Sequence, residues 1–378
     1  HLRAYRWGED AIAGLCDRHQ FVCFALAMWN GRDPSLKERL FGLSGKQGNH
    51  AEDVKEVYFH LDSTPTHSYM KFLYKYPQAE FPYERLRQEA ARRGKLDPEF
   101  EIWHTGVFDD GRYFDVFIEY AKQTHETTLV RVRAVNRGPE AAELHLLPTV
   151  WFRNIWSWSE GAERPRLWRG PELEDAASIE VEHRYRDRRR LICHGSPELL
   201  FTENETNRLK LYDAPNRTPF VKDAFHDYLI EGRRNAVNPR EQGTKAAALY
   251  SKTVEPGETW EIRLCLTDHA PAERFDRRFD EVFEQRIREA DEFFARRSGL
   301  CAGMEPAERV QRQALAGLMW SKQFYHYDVA TWMDGDAAQP RPPAGRQDGR
   351  NKAWRHLYHD DVILMPDPWE YPWYAAWD

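Results

Sequence analysis

The feature that most constrains this chain is a long succession of short apolar or alternating runs, broken by turn residues, that extends from about residue 18 to residue 266. The clearest runs are Phe21 to Trp29, Val54 to Leu61, Tyr69 to Tyr76, Tyr113 to Tyr120, Leu129 to Val135, Leu144 to Trp151, Ala247 to Val254 and Thr259 to Leu266. They are rich in aromatic and β-branched residues and have no helices alternating between them. This spacing predicts antiparallel sheets stacked as a sandwich, not a parallel α/β sheet. Val130, Val132 and Ala134 alternate with Arg131 and Arg133, and Asn136-Arg137-Gly138-Pro139 then turns the chain, which reads as a hairpin with one wet face. A second pair is joined by Glu255-Pro256-Gly257-Glu258. The main helical insert is expected around Tyr83 to Arg93.

Near residue 270 the period changes from two to between three and five. Phe275, Phe279, Val282, Phe283, Ile287, Ala290 and Phe294 mark one face of a long amphipathic helix. A second helix is expected from about Pro306 through Val310, Ala314 and Leu318 toward Tyr327, followed by a loop rich in proline and glycine. The expected order is therefore a β domain over 1–268, a linker helix over 269–303, and the opening of a helical domain over 304–378. Both ends read as cut.

Composition narrows the function. A net charge of -7 gives no general attraction to phosphate backbones, and the one dense basic run, Arg184 to Arg190, is interrupted by Asp187. That run is expected on a solvated strand or hairpin face, and no nucleic-acid partner is expected. No apolar run reaches the length needed to cross a bilayer and the first residues hold no leader core, so the expectation is a cytoplasmic protein without a membrane partner. The 5 cysteines are scattered and never form a CxxC pair, which points to reduced thiols and away from a zinc knuckle or disulfide framework. No cofactor or metal is expected. His356 and His359 with Asp360 and Asp361 could share a helical face as metal ligands, but packing of a loop accounts for them better.

The richest chemistry lies between Asp367 and Asp378, where carboxylates alternate with Trp and Tyr and two prolines stiffen the chain. Sugar rings stack apolar C–H faces on such aromatics, and their hydroxyls need carboxylate or indole partners, so the composition suits a carbohydrate site. An aromatic core segment with solvated acids explains it equally well. Glycosidic cleavage needs one protonated carboxyl group and one ionised carboxylate, and an apolar neighbour such as Trp377 would raise the pKa of Asp378 in the required direction. On local chemistry, Asp360, Asp361, Asp367 and Glu370 are candidates as well.

Several segments together resemble a known family. These are Ala4 to Asp10, Ala27 to Pro34 with Lys37 to Leu43, Gly48 to Glu56, Thr64 to Lys71, Phe152-Arg153-Asn154-Ile155-Trp156-Ser157-Trp158, and Met365 to Asp367 with Trp369 to Asp378. They look like the bacterial branch of glycoside hydrolase family 63, departing from it at Leu15, His19, Ala51 and Pro368. The resemblance implies an N-terminal β-supersandwich, a linker helix, and an (α/α)6 toroid of which this chain would hold the first part. It implies an inverting α-glycosidase acting on a carbohydrate. Asp378 in the Trp377-Asp378 pair would be the general acid, and a glutamate base would lie beyond these residues. Trp369, Glu370, Tyr371, Trp373 and Trp377 are the candidate substrate contacts, and Asn49 and His50, with Glu52 and Asp53, could reach the site on a sandwich loop, though a capped turn explains them as well. A non-catalytic sugar-binding module is the competing reading, and a glycoside phosphorylase a third.

Overall fold

The computed structural model describes residues 11–40, 42–43, 53–94, 96–158, 161–268, 275–297, 299, 303–336, 340–350 and 352–364. In chain order the strands are β1 (Leu15–Cys16), β2 (Val22–Trp29), β3 (Gly42–Leu43), β4 (Asp53–Val54), β5 (Val57–Ser63), β6 (Tyr69–Pro77), β7 (Tyr113–Lys122), β8 (Thr128–Asn136) and β9 (Ala142–Phe152). They continue as β10 (Arg166–Arg169), β11 (Ala176–His183), β12 (Arg186–His194), β13 (Glu198–Thr202), β14 (Gln242–Gly243), β15 (Lys245–Val254), β16 (Thr259–Thr267), β17 (Lys322–Asp328) and β18 (Tyr358–Leu364). The helices are α1 (Tyr83–Arg92), α2 (Arg208–Tyr212), α3 (Ala224–Leu229), α4 (Arg277–Ala295), α5 (Glu305–Trp320) and α6 (Val329–Asp334).

Two antiparallel sheets carry the fold. One has five strands in the order β1-β2-β9-β15-β13, the other nine in the order β14-β10-β11-β12-β16-β8-β7-β6-β5. Their facing sides bury one continuous apolar cluster that includes Phe24, Val150 and Ala246 from the first sheet and Val116, Ile118, Val132 and Leu264 from the second. Alternation explains the division on β8, where Val130, Val132 and Ala134 point into this cluster and Arg131 and Arg133 point away.

The outer faces are covered too, which corrects the expectation of a wet face. Phe279, Phe283 and Ala290 of α4 pack on Tyr69, Ala121, Leu129, Ile192 and Cys265 of the larger sheet. Arg131 lies beneath this helix with its guanidinium 4.2 Å from the Phe283 ring centre. Its stem is packed and its charge paired, so an arginine at an alternating position does not require water. On the smaller sheet, Phe225 and Tyr228 of α3 cover Ala27, Leu147, Leu200 and Ala247.

Both connections read as hairpin turns are crossovers between the sheets. The 136–139 turn takes the chain from β8 in the larger sheet to β9 in the smaller, and 255–258 takes it from β15 back to β16. Turn residues report a reversal of direction but not which strand is paired next. The near-continuous apolar run of β9, buried on both faces, suits a different layer from half-charged β8. Asn136 ties the crossovers together, its Nδ2 donating to Val254 O at 2.9 Å and to Glu140 O at 2.7 Å, while Gly257 N donates to Asn136 O at 3.0 Å.

Beyond α4 the structure also departs from expectation. The second helix starts at Glu305 but ends at Trp320, where Ser321 N still donates to the Gly317 and Leu318 carbonyls, and Lys322–Asp328 is a strand paired with β18. Alternating aromatics in this segment favour the extended state. His359, Asp360 and Asp361 therefore lie on a strand, not on a helical face, and His356 precedes it stacked on Trp354. No (α/α)6 toroid is seen among the described residues of 304–364. Asn49, His50, Glu52, Trp369, Glu370, Tyr371, Trp373, Trp377 and Asp378 lie outside the described residues. No described helix is long and apolar enough to cross a membrane.

Candidate functional site

At the mouth of the sandwich a cavity of about 860 Å³ opens between three pieces of chain. One wall is the segment after β9, from Arg153 to Arg166; the second is the tip of the β11–β12 hairpin around Arg184 and Tyr185; the third is the β17–β18 ribbon with His326, Tyr358 and Asp360. Phe21, at the entry to β2, completes the lining.

The first wall is held by buried polar contacts. Asn154 Nδ2 donates to Asn204 O at 3.1 Å, Asn204 Nδ2 donates back to Phe152 O at 2.8 Å, and Ser157 N donates to Asn154 Oδ1 at 3.1 Å. Trp156 donates its indole N–H to Glu205 Oε1 at 3.1 Å. Arg164 lies against Glu203 and Glu205 at 2.8 and 2.9 Å, and Thr244 Oγ1 donates to Glu203 at 2.7 Å. Burial raises the Glu203 pKa above the usual carboxylate range, against the opposing pull of the Thr244 hydroxyl and the Arg164 charge. The paired donors fix Trp156 and Arg164 in place before any ligand arrives.

Aromatic faces surround the space. Phe21 stacks on His183 at 4.7 Å and sits 5.4 Å from Tyr185, and Trp158 faces His326 at 4.8 Å. His326 in turn meets Tyr358 edge-on at 5.4 Å. Burial lowers the His326 pKa, the Arg153 charge adds to this, and Asp360 and Asp328 oppose it, so the ring is neutral at pH 7 and can accept a hydrogen bond.

Arg153 lies at the base, 5% exposed, with its guanidinium 4.4 Å from the Phe324 ring centre and 5.8 Å from those of Phe21 and Trp158. Among the described residues its Nε has no hydrogen-bond partner. Burial lowers its pKa, while the nearby charges of Asp360 and Asp17 act to restore it.

Among the described residues, His226, Asp227 and Glu231 bring three ligand atoms within 4.8 Å of one another, on α3 and away from the cavity. Leu36 N donates to His226 Nδ1, so Nε2 carries the proton and faces Glu231, while Arg233 occupies Asp227 at 2.9 Å.

The quoted segment from Phe152 to Trp158 is thus the part of the sequence reading that the structure places at a site. His183, Tyr185, His326 and Tyr358 were missed. The basic run Arg184 to Arg190 forms a hairpin as expected, with Arg188 and Arg190 on Glu180 and Arg189 on Glu126. Its aromatic tip, Tyr185 between arginines, was the available signal. Asp360 was weighed as an acid and does line the cavity, exposed, while Asp361 lies on Arg18 at 3.6 Å.

Fold and site together define an antiparallel β-sandwich protein with an arginine- and aromatic-lined cavity at one end. No family model matches the chain. It is 42% identical, over all of its length, to an uncharacterized protein of Saccharomyces cerevisiae, YMR196W, and spans 39% of that relative's length. Among solved structures, a polysaccharide lyase is matched over 65% of this chain and 25% of its own, with 12% identity and a TM-score of 0.29. A human-microbiome protein assigned as a kojibiose phosphorylase is matched over 85% and 37%, with 7% identity and a TM-score of 0.28. TM-scores this low carry no inference to the fold or chemistry of the present chain.

Proposed function

We propose that this chain is a piece of a carbohydrate-cleaving enzyme, an inverting α-glycosidase similar to glycoside hydrolase family 63 that acts on glucosyl- or mannosyl-linked substrates. The observation that carries the reading is the position of Arg153, Trp156 and Trp158. They belong to a segment quoted for that resemblance, and they line an aromatic cavity of a size suited to sugars. Asp378 is assigned as the general acid on the resemblance of the Trp377-Asp378 pair, and a glutamate base in the remainder of the parent polypeptide would activate water on the opposite face of the ring. Trp369, Glu370, Tyr371 and Trp373 are assigned to substrate binding, with Asn49 and His50 as contacts from the sandwich.

The test is Asp378→Asn in the full-length polypeptide, with hydrolysis of α-linked disaccharides followed by NMR of the released anomer. Loss of a general acid should cut turnover by about 100-fold or more while sugar binding persists. Retained turnover, or a product of retained configuration, would remove the assignment. Sugar binding without any turnover in the parent polypeptide would favour a non-catalytic binding module instead.

A further inference from the structure

Resting on the carbohydrate reading of this cavity, we infer that it recognises an anionic sugar, one bearing a carboxylate or a phosphate, and that Arg153 is the residue that selects it. Among the described residues, the other cavity arginines already have partners: Arg164 has Glu203 and Glu205, Arg188 has Glu180, Arg166 has Gln242, and Arg184 has the Tyr185 hydroxyl. Among the described residues the Arg153 Nε has no hydrogen-bond partner, although the residue is 5% exposed, and the charges that act on it, Asp360 and Asp17, form no ion pair with it. Rings do hold it in place, with Phe324 at 4.4 Å and Phe21 and Trp158 at 5.8 Å.

A guanidinium presents a planar fork of N–H donors that matches the paired oxygens of a carboxylate or phosphate. Buried donors without acceptors are costly, and a cavity wall is a place where a ligand can supply the acceptor. Trp158, Tyr185 and Phe21 meanwhile offer ring faces for an apolar sugar surface beside that charge. Neutral sugar hydroxyls would satisfy Arg153 only with weak, uncharged acceptors. Asp360 is the opposing feature: an exposed carboxylate on β18, it reduces the positive field of Arg153 and should discriminate against loosely placed anions.

The experiment is calorimetric titration of the full-length polypeptide with glucose, glucuronate, glucose 6-phosphate and inorganic phosphate, at low and high salt. At least one charged sugar should bind about tenfold or more tightly than glucose, equivalent to about 1.4 kcal/mol, and the preference should shrink as salt rises. Preference for glucuronate identifies the carboxylate as the recognised group, and preference for glucose 6-phosphate identifies the phosphate. Arg153→Met should erase the preference, with Arg153→Lys retaining only part of it. Asp360→Asn should tighten the charged sugar by about two- to threefold, and unchanged or weaker binding of it would remove Asp360 as the opposing charge. Equal binding of glucose and both charged sugars would overturn the inference and leave the glycosidase reading standing. Inorganic phosphate binding as tightly as glucose 6-phosphate would overturn the sugar half of it. Absence of any sugar binding would overturn it outright, and the Asp378→Asn assay would then decide separately whether the enzyme assignment survives.

Discussion

Glu119 shows how this fold manages a buried charge. It is 1% exposed on β7, accepting hydrogen bonds from the Tyr69 hydroxyl at 2.7 Å, from Arg131 Nε at 3.2 Å and from Arg133 at 2.8 Å. Burial alone would raise its pKa, but Arg131, Tyr69, Arg133 and Lys71 outweigh burial and hold it below the ordinary carboxylate value. With the folded value depressed, its contribution is present above the unfolded pKa and is lost as pH falls through the folded one. Replacing Glu119 by leucine removes the acceptor shared by two arginines, but Arg131 keeps Asp280 at 3.7 Å and Arg133 is a third exposed, so urea unfolding should show a loss of about 1–3 kcal/mol, below the full cost of breaking a buried pair. Glu119→Gln, which keeps the shape and some acceptors, should cost less. A leucine variant as stable as the parent would mean that water or α4 already satisfies both arginines. Arg153 contrasts with this pattern, since it is 5% exposed and, among the described residues, its Nε has no acceptor.

At the scale of elements, α5 is attached to the sheet at identifiable points. Arg312 donates to Asp62 and also reaches Asp291 at 2.7 Å, Trp320 donates to Asp62 O at 3.3 Å, and the Trp320 ring rests on His60 and Phe72. Ala316 is the one residue of α5 that is fully buried, so Arg312→Ala should raise hydrogen exchange across 305–320 by about tenfold or more while α4 is unchanged. Uniform exchange in both helices would show that α5 is held by other contacts. The same elements show what the sequence could convey. α4 was legible because Phe279, Phe283, Ala290 and Phe294 repeat along one face, and β6 to β8 because their alternation survives in the structure. The end of α5 was not legible, since nothing local opposes helix until the chain pairs with β18, whose partners are far along the chain, Leu364 for Lys322 and Tyr358 for Asp328. Crossovers were missed for a related reason: Asn136 is a turn residue by type, and only its bonds to Val254 and Glu140 reveal a change of sheet. The cavity likewise joins side chains from distant segments, and Phe152 to Trp158, the Arg184 run and Asp360 stand out in the sequence without any sign that they meet.

For the whole molecule, the two covered sheets leave little of the sandwich that can open independently, so protonation of buried groups should register as global destabilisation. His60 lies among Tyr58, Phe72 and Trp320, and burial lowers its pKa from 6.5 to about 4. His67 is lowered to about 4 as well, by burial and then by Lys322 and Lys122. Both are therefore neutral when folded at pH 7, and in the unfolded chain both titrate near 6.5. Between pH 6.5 and 4 the unfolded state binds more protons, so stability is complete above 6.5 and declines as pH falls toward 4. Each histidine contributes a slope of up to about 1.4 kcal/mol per pH unit, so two of them acting between pH 6.5 and 5 remove about 4 kcal/mol, a large share of the 5–15 kcal/mol typical of a folded domain. Urea unfolding at pH 7, 6 and 5 should show this decline before most carboxylates titrate. His60→Leu, which places an apolar side chain among the same rings, should roughly halve the slope whatever it does to stability at pH 7. An unchanged slope in that variant would mean that His60 is protonated in the folded protein, and with it that the contact between β5 and the end of α5 admits water.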